Sequence, residues 1–400
     1  MSETLQWSGA DRAEARPAWG AVFSMTLGVF GLVTAEFLPA SLLTPMAMDL
    51  GITEGMAGQA VTATAVVALL TSLLISAATR NIDRRRVLLA FSVLLVGANL
   101  MVAFASSLPL LLVGRVLLGI ALGGFWSMSA AIAMRLVPEA LVPRALSMIF
   151  SGVSAATILA APVGSYLGEI AGWRSVFLMA MGLAVLALIA QILTLPRMAP
   201  SGSTRLRTLA EVLARPGVGL GMLAVMLVFT GHFAVFTYIR PFLETVTGVG
   251  IGAVSAILLG FGIANFIGTL LAGTMIERSL RLTLLTMPLL MGLLGLALVS
   301  LGNMPMADAV MVSLWGLAFG AVPVAWSTWL TRTVPDQAES AGGLIVAAIQ
   351  LAIAIGAAAG GAMFDLSGAS GVFASASFVL LLAAGIIMLG VRPRPAMAVA

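Results

Sequence analysis

The chain reads as an all-α membrane protein of twelve transmembrane helices arranged as two pseudo-symmetric bundles of six. Three observations lead there. Hydrophobic residues make up 60% of the 400 and charged residues only 9%, against about a quarter charged in soluble domains, and mean hydropathy is +1.12. The apolar residues fall into twelve stretches, each long enough for roughly 30 Å of hydrocarbon. Residues of the first six stretches recur in the last six at a constant offset.

The stretches are 20–45, 55–79, 87–107, 109–134, 143–168, 174–195, 218–243, 251–276, 282–302, 306–331, 340–363 and 371–391. All 20 basic residues are arginines, and 17 of them fall in the two terminal segments or in alternate connections, which makes one side of the membrane basic. The positive-inside rule makes that side cytoplasmic and places both termini there. The pI near 10.8 therefore reports orientation; nucleic-acid binding would need basic clusters with stacking aromatics on a soluble surface. With no cysteine and one histidine, neither a metal site nor thiol catalysis is expected, and no cofactor is implied. The first 19 residues lack an apolar core with a small-residue cleavage site, so no signal peptide is expected.

Segment one carries Glu36 inside hydrocarbon, where a carboxylate costs about 2.5 to 3.5 kcal/mol at mid-helix. An intramembrane acid at such a cost points to proton or substrate handling, with an inert buried ion pair as the bland reading. Segment four carries Arg115, roughly 5 Å from the depth of Glu36 at 1.5 Å per residue, so an ion pair between them is geometrically possible. The alternative for Arg115 is a snorkelling anchor.

Beyond Arg115, Gly119 and Gly123 leave a smooth face for close packing, followed by Trp126, Ser127 and Ser129. Segment ten carries Trp326, Ser327, Thr328 and Trp329. At these depths the indole rings either fill the core or line a cavity where they can stack on a flat heteroaromatic solute. Segment five, with Pro162 among Gly152, Gly164 and Gly168, reads as a kinked, closely packed helix.

The polar stretch 196–216, with four arginines, divides the segments six and six. This yields a first half 1–195, a cytoplasmic linker 196–217 and a second half 218–400. Gly119, Gly123, Arg135, Pro138 and Glu139 recur 197 positions on as Gly316, Gly320, Arg332, Pro335 and Asp336. In segments one and seven an offset of 196 places Pro45 on Pro241 and Glu36 on His232. In a rocking transporter such positions face each other across a central cavity, and both groups can titrate near neutral pH. Tyr238, Asn265 and Gln350 add donors and acceptors on segments seven, eight and eleven. An intramembrane enzyme would need a catalytic pair at depth, and an inert scaffold leaves the repeat unexplained.

These residues resemble the major facilitator superfamily, and within it the proton-coupled drug-exporter branch. The connection with Asp83, Arg84 and Arg86 resembles the family's gating signature, with Thr79 and Arg85 where glycines are usual. Arg115 with Gly119 and Gly123 is similar to its proton-coupling signature on helix four, and Ala161, Pro162 and Gly164 to the exporter signature on helix five. Ala35 to Pro39, Leu42 to Met46, Gly123 to Trp126, Phe236 to Pro241 and Trp326 to Trp329 resemble bacterial purine nucleoside exporters, as does the run Asp336 to Glu339. The resemblance implies proton antiport that exports purine nucleosides and related analogues across the inner membrane by alternating access. Together with the repeat, this makes Glu36, His232 and Arg115 the expected proton-coupling residues. The expected substrate residues are Trp126, Ser127, Tyr238, Asn265, Trp326, Trp329 and Gln350, in a cavity built by segments one, four, seven and ten. The chain is expected to act as a monomer; an exporter of sugars or unrelated drugs is the alternative.

Overall fold

The computed structural model describes residues 17–138, 141–200, 211–334 and 338–391. Residues 201–210 of the linker, Glu139, Pro335, Asp336, Gln337 and the arginines near both termini lie outside the described residues.

Helix α1, Trp19–Leu50, ends where Gly51 takes the left-handed conformation (φ 63°) and the Ile52 N–H reaches back to the Ala47 carbonyl, a close that favours glycine. Thr53 caps α2, Glu54–Ala78, by accepting the Met56 N–H. Asp83 caps α3, Arg84–Ala103. Then come α4, Leu108–Leu136, α5, Val142–Ala171, and α6, Trp173–Thr194, the last two separated by Gly172 at φ 79°.

Segment seven is broken in two. Helix α7, Val218–Thr237, stops at Tyr238 (φ −108°, ψ 16°), and a short α8, Ile239–Thr245, follows. Pro241 cannot donate to the Thr237 carbonyl, so the chain bends there.

Helices α9, Ile251–Leu301, and α11, Ala338–Gly390, flank α10, Pro305–Thr333. At 51 and 53 residues, α9 and α11 run far beyond a bilayer core of about 30 Å. Each contains one non-helical residue, Ser279 (φ −167°) and Gly368 (φ 67°, ψ −171°). Those breaks fall in the connections between segments eight and nine and between segments eleven and twelve. Among the described residues ten helices are long and apolar enough to cross a membrane.

Glycine packing repeats at the offset read from sequence. A Cβ on Gly119 would lie 2.6 Å from the Thr64 carbonyl oxygen, and Gly123 sits on the Ala68 backbone, which holds α4 against α2. Gly316 and Gly320 sit on the carbonyls of Phe261 and Asn265, which holds α10 against α9. The two glycines and the two backbone positions they pack on each recur 197 residues on, so one close approach is built twice.

The two halves meet at the arginine-poor end. First-half residues that enter the second half's core are Ala40, Leu43 and Ala47 of α1, Ala57, Val61 and Ala65 of α2, and Ala161 of α5. All lie in the part of those helices nearest that end. Helix α2 packs on α11 and α5 on α9. Towards the arginine-rich end, the core from Ala21 to Met198 contains, among the described residues, none from α7 to α11.

Candidate functional site

The site begins with a proline. Pro39 has no N–H, so the carbonyl of Ala35, four residues earlier in α1, loses its helical donor. Arg115 takes its place: Nη1 donates to Ala35 O at 2.8 Å, Nη2 to Glu36 O at 3.4 Å and Nε to Ala60 O at 3.1 Å. The guanidinium is 1% exposed, and Thr64 Oγ1 returns a bond to the Arg115 carbonyl at 3.3 Å. The link to Glu36 thus runs through its main chain. A fork of donors suits such a clamp, as a single ammonium does not.

Held there, Glu36 is half-buried and lines a cavity of about 10 Å³ with Phe37, Ala40, Val61, Phe233, Phe236, Thr237 and Ile353. That is room for roughly one water. The walls come from α1, α2, α7 and α11, whereas the sequence led to segments one, four, seven and ten. The reason is geometric: with the arginine-poor end closed, α2 and α11 press together beneath it and close over the acid. Phe37 and Phe236 meet edge to face across the halves, with ring centroids 5.3 Å apart.

His232 faces a different way. Its ring lies parallel to Phe319 at 3.3 Å, and Nδ1 accepts the Trp315 Nε1–H at 3.1 Å. Trp315 and Phe319 belong to α10, so the imidazole is embedded in its own half and is 2% exposed. An accepting Nδ1 places the ring proton on Nε2. The pseudo-symmetric position of Glu36 is thus a packed aromatic stack, and the expected meeting of acid and imidazole across the cavity is absent from the contacts of the described residues.

The remaining predicted residues divide. Trp126 is half-buried and stacked on Phe150 at 5.6 Å, and Ser127 beside it is exposed. Trp326 and Trp329 are buried and pack edge to face at 5.4 Å, Trp329 against Gly221. Asn265 Nδ2 donates to Gly316 O at 3.3 Å and ties α9 to α10. Tyr238 is buried in the seam between halves, its hydroxyl donating to Ala357 O at 3.1 Å and touching Gly58. Gln350 Oε1 and Trp329 Nε1 are buried without a hydrogen-bond partner.

Near the arginine-rich end, Asp83 accepts the N–H groups of Arg85 at 2.8 Å and Met198 at 3.0 Å. Arg84 donates to Thr79 Oγ1 at 2.8 Å, and Arg86 is exposed. Asp83 and Arg84 therefore staple the start of α3 to the end of α2 and to the chain leaving α6. Sequence reasoning passed over Arg240 and Glu244; the signal was there, an arginine beside Pro241, the repeat mate of Pro45.

Residues 25–353 match the Major Facilitator Superfamily. The chain is 48% identical over 395 residues to the purine ribonucleoside efflux pump NepI of Salmonella enteritidis PT4, covering 99% of this chain and all of that one. It is equally similar to the protein of that name in Salmonella typhimurium. Among solved structures, it superposes on a bacterial homologue of the human lysosomal transporter Spinster, inward-facing and unoccupied. The TM-score is 0.75 at 15% identity, over 96% of this chain and 98% of that one. It superposes on a D-xylose-proton symporter with TM-score 0.75 at 17% identity, over 94% and 99%. A fold shared at such low identity, with close relatives that match over the full length, leads to one conclusion: the chain belongs to the major facilitator superfamily, whose members are transporters and not enzymes.

Proposed function

We propose that this chain exports purine nucleosides and related analogues from the cytoplasm in exchange for protons, by alternating access. One observation carries the reading: a carboxyl, Glu36, lines a closed cavity at the contact between the halves and is held by Arg115 through a carbonyl that Pro39 leaves open. The names of the full-length relatives support the substrate class. The working unit is a monomer of twelve spans in the inner membrane, α9 and α11 counting twice. The halves 1–195 and 218–400 are joined by the linker 196–217, and both termini are cytoplasmic.

In the described state the outer end is closed and the halves separate towards the cytoplasm. Substrate enters from that side, among Trp126, Ser127, Trp326, Trp329 and Gln350. A buried amide oxygen and indole N–H without partners cost about 1 to 3 kcal/mol each, and a purine edge offers both a donor and an acceptor. Opening to the outside admits a proton to Glu36. Substrate and proton then alternate, because each is taken to favour the state open to the side from which it enters. His232 and Trp315 hold the second half's aromatic wall behind that acid.

Quenching of native tryptophan fluorescence in purified protein tests the ligand class. Inosine, guanosine and adenosine should quench saturably, arabinose and chloramphenicol should not, and Trp126→Ala should weaken the response. Quenching by arabinose or chloramphenicol alone would return the protein to the sugar or drug exporters.

A further inference from the structure

Helix α1 contains a second proline with the same consequence as the first, and its freed carbonyl is taken from the opposite half. Pro45 leaves Ser41 O without its helical donor. Arg240 Nη1, on α8, donates to that oxygen at 2.6 Å. Arg240 Nε donates to Glu244 Oε1 at 2.7 Å, and Glu244 Oε2 accepts the Thr44 Oγ1–H at 2.7 Å. Ser41, Arg240, Glu244 and Thr44 thus form a closed ring across the seam, one turn from each helix. The pair is almost shielded from solvent, with side chains 3% and 19% exposed.

The contrast with Arg115 is informative. Arg115 clamps Ala35 within one half, so its bonds survive any rigid rotation of the halves. The Arg240–Ser41 and Thr44–Glu244 bonds cross between halves, so they must break whenever the arginine-poor end opens. A carbonyl inside an unbroken helix already has its own N–H, and a visiting arginine would add little there. A carbonyl freed by proline leaves the guanidinium its full hydrogen bond, and water can satisfy it once that end is open.

We propose that Arg240 is a positioning residue for the outer gate. With Glu244 it locks α8 onto the α1 carbonyl that Pro45 exposes, and release of this lock sets how often the arginine-poor end opens. The proposal rests on the alternating-access reading above and is independent of the substrate.

The chain has no cysteine, so Met48→Cys and Thr245→Cys, both exposed and on opposite sides of the seam, accept spin labels without background. Distance distributions in nanodiscs should show mainly the short, closed distance. Arg240→Gln should raise the ratio of long to short distances about tenfold, as loss of a charge-assisted hydrogen bond would. Pro45→Ala restores an N–H to Ser41 O and should reproduce part of that shift, and Arg240→Gln added to it should shift little further. Glu244→Gln and Thr44→Val, milder changes, should move the ratio the same way if Arg240→Gln fails to fold. Unchanged distances in the folded variants, or shifts of Pro45→Ala and Arg240→Gln that simply add, overturn the proposal. Nucleoside quenching on the same proteins keeps the two readings apart. An intact Arg240→Gln shift without any nucleoside response removes the substrate and leaves the gate, and the reverse removes the gate and leaves the substrate.

Discussion

A guanidinium in the interior of a helix bundle has five N–H donors to satisfy, and Arg115 directs three of them at backbone carbonyls of α1 and α2. Arg115→Lys keeps the charge and loses the fork. It should lower thermal stability, by about 1 to 3 kcal/mol, and reduce transport, measured by melting in detergent and by flux in proteoliposomes. Glu36→Gln keeps shape and bonding capacity and removes the titration. Folded protein with nucleoside exchange but no uphill pumping under an imposed pH gradient is the expected result, and continued uphill pumping would end the assignment. Trp315→Phe frees His232 Nδ1 from its only described bond. A stability loss near 1 kcal/mol with efflux retained is expected; efflux as low as in Glu36→Gln would put the imidazole on the proton path.

At the scale of the element, prolines and glycines account for how the helices meet. A proline frees a carbonyl, and whatever lies closest takes it: Arg115 at Ala35, Arg240 at Ser41. At Pro162 the freed carbonyl is that of Ile158, and Gly262 of α9 packs on it, its Cβ position 2.8 Å from Ile158 Cα. Glycines elsewhere allow backbone to touch backbone. Gly123→Ala and Gly320→Ala each place a methyl on a carbonyl that cannot retreat, so α4 must leave α2 and α10 must leave α9. Each change should cost about 1 to 3 kcal/mol, measured as a fall in melting temperature by size-exclusion chromatography after heating. The similarity of the two losses would reflect the 197-residue repeat, since the two contacts are the same contact built twice.

At the scale of the whole molecule, two halves lean on each other at one end. The contacts of α1 with α8, α2 with α11 and α5 with α9 close the arginine-poor end, while the core at the other end contains, among the described residues, none from α7 to α11. The Glu36 cavity lies beneath those contacts, at the seam between the halves. Those contacts leave Tyr238 fully buried, while Trp126 and Ser127, nearer the other end, retain exposure.

The segments, their orientation signal, the repeat and the buried acid were legible in the chain itself, because hydropathy, arginine placement and glycine spacing act locally or along one helix. Segment seven read as a single span, and its break at Tyr238 was foreshadowed only by Pro241. Which carbonyl a proline frees also follows from sequence; which side chain fills it does not. That choice depends on how helices distant in the chain cross, as does the turn of His232 into the α10 aromatics in place of the cavity. Composition and hydropathy determined that this chain is helical and crosses a membrane many times. The tertiary structure alone decided that α2 and α11 wall Glu36 in, because contact between halves depends on their relative rotation, which no local pattern encodes.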